Sequence, residues 1–408
     1  MVSIKLKFRP STNEGKEGSL YYQVIYNRVV RQVAMPYKIF PHEWNPEIED
    51  IIVKPPAIRS NYLESIKQTV RNDINRFNRI GQELAHTNFS YTVDTIVDEY
   101  RKQSNGSTLF SYMEQMIARY WRQGQLRTSE TYSTTLNSFK RFRADIDVYL
   151  EDIDSELMEA YENHLKQNDL SPNTISFYMK HLRAVYKRAV DDELVRDKNP
   201  FKRVSTSIER TAKRAISLKA LKRLKAMDLS DSPTKQFARD MFLFSFYTRG
   251  MSFVDIAYLQ KKNLRGDVLF YRRKKTNQQL SIHWEECMQE IVKSYEAETS
   301  SPFLFSIINK LNENHRKQYQ NAMYRINRQL KLIGLDLGLH QSLTMYCARH
   351  SWASIAHDEG IPLSVISEGM GHNSEKTTQI YLASLKTEVI DKANRKILKL
   401  RQGGQKVG

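Results

Sequence analysis

The sequence predicts a multidomain chain, mainly α with small β sheets, and three observations carry that expectation. Residues 2–53 alternate apolar and polar side chains with period two, residues 92–199 repeat apolar side chains every three or four, and the chain from 216 onward mixes both patterns. At 408 residues it is long enough for about two to three domains with cores of their own.

The first part reads as three strands: Val2-Ser3-Ile4-Lys5-Leu6-Lys7-Phe8, Leu20-Tyr21-Tyr22-Gln23-Val24-Ile25-Tyr26 and Val29-Val30-Arg31-Gln32-Val33. Gly15 and Gly18 mark the first loop, Asn27-Arg28 a tight turn, and a polar helix over about 59–84 follows. The second part reads as helical throughout, with Leu109, Met113, Met116, Ile117 and Tyr120 on one face and Leu182, Val185, Tyr186 and Ala189 on another. Ser171-Pro172 is a helix start, a capping hydroxyl followed by Pro at the first helical position, and Asn199-Pro200 reads as a linker. In the third part, helices over 217–226 and 234–247 precede strands at 268–272 and 279–283, with Lys274-Lys275-Thr276-Asn277 in the turn between them.

The excess of 63 Lys+Arg over 46 Asp+Glu gives a net charge of +17 and a pI near 9.6, which implies a polyanionic partner. The charge is dispersed along the chain, which favours nucleic acid over a membrane surface. Arg119, Arg122, Lys140, Arg141, Arg143, Lys180, Arg183, Lys187 and Arg188 lie along the helices of the second part; singly each fits a solvated face, together they suit a clamp on phosphates. No stretch approaches the ~18 apolar residues of a membrane span, and residues 1–10 lack the apolar centre of a signal peptide. Cys287 and Cys347 stand far apart without metal-ligand spacing, so no disulfide framework, zinc site or other metal is expected, and a reducing cytoplasm fits.

The most informative pattern lies near the C-terminus. Tyr381 stands nine residues after His372 in Gly371-His372-Asn373-Ser374-Glu375-Lys376-Thr377-Thr378-Gln379-Ile380-Tyr381, downstream of Ala348-Arg349-His350-Ser351. A tyrosine hydroxyl can attack a phosphodiester and hold the broken DNA end as an ester, while guanidinium and imidazole groups bind the charge that builds on phosphorus. One of 22 tyrosines is by default a half-buried helix residue; the Gly-His pair and the Arg349 motif reverse that default.

On these residues, with Leu170-Ser171-Pro172-Asn173-Thr174, Tyr186-Lys187-Arg188-Ala189-Val190 and Phe246-Tyr247-Thr248-Arg249-Gly250-Met251-Ser252-Phe253-Val254-Asp255-Ile256, the chain resembles the tyrosine recombinase (phage integrase) family along nearly its whole length. The last segment looks like the branch found on conjugative elements and invertible promoters of gut anaerobes. The resemblance implies an arm-type DNA-binding sheet with its helix over 1–90, a helical, SAM-like core-binding domain over 91–200, a linker over 201–215 and a mixed α/β catalytic domain with a tail over 216–408. It makes Tyr381 the nucleophile, Arg349 the second active-site arginine and His372 a hydrogen-bond donor to the scissile phosphate. Lys275, with Lys274 as its rival, matches the acid that protonates the departing 5′ oxygen, and His350 falls to a structural role.

Two positions depart from the family pattern. Tyr346 stands where a histidine is usual, three residues before Arg349; a phenol with an unperturbed pKa of about 10 is a poor general base near neutral pH, which leaves it to hold a phosphate oxygen or orient its neighbours. Ser252 stands where the first arginine is expected once Asp255 is aligned with the family's acidic residue. Arg249, one helical turn earlier, is the expected substitute, with contact to the DNA backbone alone as the plainer reading. Asp255 is expected to fix its helix by hydrogen bonds.

The implied reaction is site-specific DNA recombination through a 3′-phosphotyrosyl intermediate, with no ATP, cofactor or metal, either integrating and excising a mobile element or inverting a segment. The implied partners are double-stranded DNA with specific recombination sites and further copies of the chain in a homotetramer on DNA, with room for DNA-bending accessory proteins and no membrane; the implied location is the cytoplasm, at the nucleoid. Ile390, Ala393, Ile397 and Leu400 fall at helical spacing in the tail, to pack on their own domain or on a neighbouring protomer. A type IB topoisomerase and a non-catalytic DNA-binding regulator, the latter motivated by Tyr346 and Ser252, are the alternative classes.

Overall fold

The computed structural model describes residues 2–54, 59–86, 90–103, 106–207, 209, 214–295 and 301–379. The chain divides into two compact units, split between 210 and 211.

The first unit opens with an antiparallel meander of β1 (Ser3–Arg9), β2 (Gly18–Tyr26) and β3 (Val29–Ile39). Asn27 and Arg28, at φ of 48° and 68°, join β2 to β3 in a two-residue turn whose twist matches that of the strands. β3 runs past the expected end at Val33 because Pro36, which cannot donate to a ladder, sits on an edge strand where no donor is required. A two-residue pair of β4 (Trp44–Asn45) and β5 (Asp50–Ile51) leads to α1 (Ser60–His86), which buries Leu63, Ile66, Val70, Phe77 and Ile80 in one core with Leu20, Tyr22 and Val24 of the sheet. Val93, Ile96 and Val97 of α2 (Val93–Gln103) complete that core.

Four more helices, α3 (Leu109–Arg122), α4 (Leu126–Arg143), α5 (Ser155–Gln167) and α6 (Pro172–Asp191), close a second core around Met113, Phe139, Tyr161, Met179 and Val185. Asp154 and Ser171 cap α5 and α6, accepting from the Leu157 and Thr174 amides at 2.9 and 3.4 Å, and Pro172 takes the first helical position. Phe201 and Val204 are buried in this core too, so the segment expected as a linker starts out packed.

Buried arginines tie the two cores together. Arg76 of α1, 3 % exposed, meets carboxylate oxygens of Asp73, Glu151 and Asp152 at 2.9, 2.9 and 3.0 Å and lies over the Tyr149 ring. Arg143 of α4 donates to the Ser65 carbonyl and the Thr69 hydroxyl of α1, both at 3.3 Å, and to the Ile146 carbonyl. An isolated buried cation costs several kcal/mol, so such groups persist where acceptors surround them.

The second unit runs α7 (Leu218–Lys225), α8 (Pro233–Tyr247), α9 (Phe253–Ala257), a three-stranded antiparallel sheet of β6 (Leu264–Arg265), β7 (Val268–Arg272) and β8 (Gln279–His283), then α10 (Glu286–Ser294), α11 (His315–Asp336), α12 (Met345–Asp358), α13 (Leu363–Gly369) and α14 (Glu375–Gln379). α8 is the centre: Met241, Phe242, Leu243 and Phe244 are all buried, so it is apolar around its circumference and packs against α7, α10, α11 and α12. Both long strands fall where the alternation places them. Among the described residues no helix is long and apolar enough to cross a membrane, and no group of His, Cys, Asp or Glu could hold a metal ion.

Candidate active site

A sharp corner after α8 sets the site. The chain reverses through Arg249 and Gly250, at φ of 59° and 75°, and the Gly250 amide and the Thr248 hydroxyl bond back to the Ser245 and Phe244 carbonyls. Left-handed backbone is unfavourable for a side-chain-bearing residue such as Arg249, so the surrounding bonds hold it there. At Gly250 the reason for glycine is closeness: a Cβ would lie 2.8 Å from the Arg349 Cα.

That approach lets α12 deliver Arg349, 4 % exposed, into the corner. Its Nη1 donates to the Gly250 carbonyl at 2.6 Å, and its Nη2 to the Met370 carbonyl at 2.6 Å and to His372 Nε2 at 2.9 Å. α12 is fixed by Ser351, whose hydroxyl donates to the Cys347 carbonyl and accepts from the Ile216 amide.

A guanidinium only donates, so His372 Nε2 is the acceptor and the ring proton sits on Nδ1, which donates to the Thr378 hydroxyl at 2.8 Å. Burial, then Arg349, Arg273 and Lys275, hold the His372 pKa down at about 4, so the ring is neutral near pH 7.

The third component is the β7–β8 hairpin. Asp255, buried on α9, accepts from the Ser252 hydroxyl at 2.6 Å and from the Lys274 amide at 2.9 Å, tying the hairpin turn to the helix. The turn separates its two lysines. Lys274 lays its ammonium 3.4 Å from the centre of the Tyr258 ring, and burial pulls its pKa down. Lys275 stays exposed, close enough to His372 to depress the imidazole.

Arg349, His372 and Lys275 thus come together. Arg249 lies beside them, half-buried, with Nη1 3.4 Å from the Ser281 carbonyl. Tyr346 stands at the surface, 48 % exposed, its ring edge-on to His350. Tyr381 and the tail residues Ile390, Ala393, Ile397 and Leu400 lie outside the described residues. Sequence reasoning passed over Arg273: it is 5 % exposed, its Nη1 donates to the Gly371 carbonyl, and Gly371, at φ 64°, has room only for a hydrogen where a Cβ would press on the Arg273 Cδ and Leu280. The signal was present as strand period, since Leu269 and Tyr271 are buried and 273 is next on that face, but the run Arg272-Arg273-Lys274-Lys275 reads as a solvated turn.

The chain matches the phage integrase SAM-like domain over 108–208 and the phage integrase family over 217–388. It is 25% identical over 283 residues to tyrosine recombinase XerC of Pediococcus pentosaceus, covering 64% of this chain and 88% of that one. It is 23% identical over 237 residues to tyrosine recombinase XerA of Thermococcus kodakarensis, covering 57% and 78%. Its fold resembles a lambda integrase dimer bound to a COC′ core site (TM-score 0.55, 14% identity, 92% of this chain and 94% of that one). It also resembles the Tn1549 transposon integrase in complex with transposon right end DNA (TM-score 0.54, 15% identity, 72% and 100%).

Proposed function

This chain belongs to the phage integrase family and is a tyrosine-type site-specific recombinase, and on that premise we propose that it cuts and rejoins double-stranded DNA through a 3′-phosphotyrosyl link formed by Tyr381. One observation carries the reading: the His372 ring bonds Arg349 on one side and Thr378 on the other. The helix that carries Thr378, three residues before Tyr381, is thereby pinned to the cationic cluster.

In the proposed reaction the Tyr381 oxygen attacks phosphorus, the bond to the 5′ oxygen breaks, and Lys275 gives that oxygen its proton. Arg349 turns its fork from the Gly250 and Met370 carbonyls to two phosphate oxygens, a better acceptor for a bidentate cation. The phosphate also brings the negative charge that lets His372 hold a proton on Nε2 and donate it as a hydrogen bond. A 5′ hydroxyl from the partner duplex then displaces Tyr381, so ester replaces ester and no ATP is consumed. Exchange between two duplexes uses four such sites, hence a homotetramer on DNA, with residues 1–90 as arm reader, 91–200 as clamp on the core site and 216–408 as the catalytic part. Tyr346 orients His350 at the mouth, and Arg249 adds positive charge beside the cluster. The work is done in the cytoplasm, and the arrangement of the recombination sites decides whether a segment is integrated, excised or inverted.

A nicked suicide duplex, selected from a randomised pool by covalent capture on the wild-type chain, tests this. Wild type should give a denaturation-resistant adduct and Tyr381→Phe none; an equal yield from both overturns the assignment.

A further inference from the structure

Arg273 is a buried arginine whose hydrogen-bonding capacity is only partly used among the described residues. Arg76 is met by three carboxylates, and Arg143 by two carbonyls and a hydroxyl. Arg273 is as deeply buried, at 5 % exposure, yet among the described residues its Nε has no hydrogen-bond partner, and the bond from its Nη1 goes to a neutral carbonyl, that of Gly371. A buried cation in that condition is destabilising by itself and becomes favourable when an anion arrives. Its surroundings point to the same ligand. Burial first, then the charges of Arg349 and Arg273, keep the His372 imidazole neutral, and the charge of Arg273, with those of Arg349 and Arg249, reaches the buried Tyr271 hydroxyl.

We propose that Arg273 is the second guanidinium on the scissile phosphate, supplying from the β7–β8 hairpin the charge that Ser252 cannot. The inference rests on the reading of the site as a phosphate-transfer centre. It differs from the expectation for Arg249, whose side chain is half-buried, directed to the Ser281 carbonyl, and set by the α8–α9 corner. Arg273 instead shares its hairpin with Lys275, so one element would hold the phosphate and protonate the leaving oxygen. The bond from Nη1 to Gly371, next to His372, gives the guanidinium a neutral acceptor that a phosphate oxygen outcompetes, because bonds from a cation to an anion are roughly twice as strong as neutral ones.

The experiment uses the full chain and the captured suicide duplex in two forms, one with the natural phosphodiester and one with an uncharged methylphosphonate at the scissile position. On the phosphodiester, Arg273→Ala is expected to slow adduct formation by about a hundredfold or more, the scale for removing one transition-state donor. Arg273→Lys should recover part of that rate. On the methylphosphonate, which has no charge to neutralise, the deficit of Arg273→Ala should shrink to under about tenfold. A deficit equal on both substrates makes Arg273 a support for the Gly371–His372 loop and overturns the proposal, as does wild-type cleavage by Arg273→Ala. Far-ultraviolet circular dichroism and duplex binding, measured on the same variants, detect unfolding, and Arg273→Met serves as the apolar variant of matching length if Arg273→Ala unfolds. A randomised pool that yields no adduct dependent on Tyr381 removes the underlying function instead.

Discussion

Gly250 shows how one residue without a side chain sets a reactive group. Its φ of 75° and the 2.8 Å that would separate a Cβ from the Arg349 Cα leave no room for alanine. Gly250→Ala is expected to lose roughly 2 kcal/mol of stability, from left-handed strain and overpacking together, and to abolish adduct formation by displacing Arg349. Urea unfolding checks it, and a midpoint equal to wild type would dismiss the packing argument. At this scale two of the residues singled out in the sequence, Arg349 and His372, lie within hydrogen-bond distance of each other. The sequence was not legible where charge hid geometry. Arg273 looked like one of four solvated cations because composition ignores the strand period that turns it inward.

The hairpin is the element on which the site turns. Its strands were readable, since period two shows wherever one face is buried; the placement of Lys274 against Tyr258 was not, because it depends on Asp255 and Tyr258, which are distant in sequence. Asp255 holds both α9 and the turn through two charge-assisted bonds. Asp255→Ala should therefore lose roughly 3 kcal/mol and most cleavage. Asp255→Asn should lose less than about 1 kcal/mol, since its amide oxygen can accept from Lys274 while its amide N–H donates to Ser252. Calorimetry on the two variants checks this. Equal loss in both would mean that the negative charge, and not the pair of bonds, is what matters.

Over the whole chain, the sequence suggested three parts, and the first two lie in one compact unit through contacts no periodicity announces. Arg76 on α1 reaches carboxylates more than seventy residues away, and burial already pushes the Asp73 and Asp152 pKa values up. Arg76→Met would leave those carboxylates without their cation, at a loss of about 3–5 kcal/mol near pH 7. Their folded pKa values would then rise further above the unfolded value, so the folded chain would bind more protons than the unfolded one and the loss should shrink as pH falls from 7 toward 5. Denaturant titrations at both pH values test the sign. In the second unit, the carbonyls at 250 and 370 accept from Arg349, and the carbonyl at 371 accepts from Arg273, whose charge no carboxylate meets among the described residues. The native state therefore tolerates an electrostatic debt concentrated at a single spot. Such a spot lowers stability by itself, and under the proposed function an arriving phosphate would turn that cost into affinity.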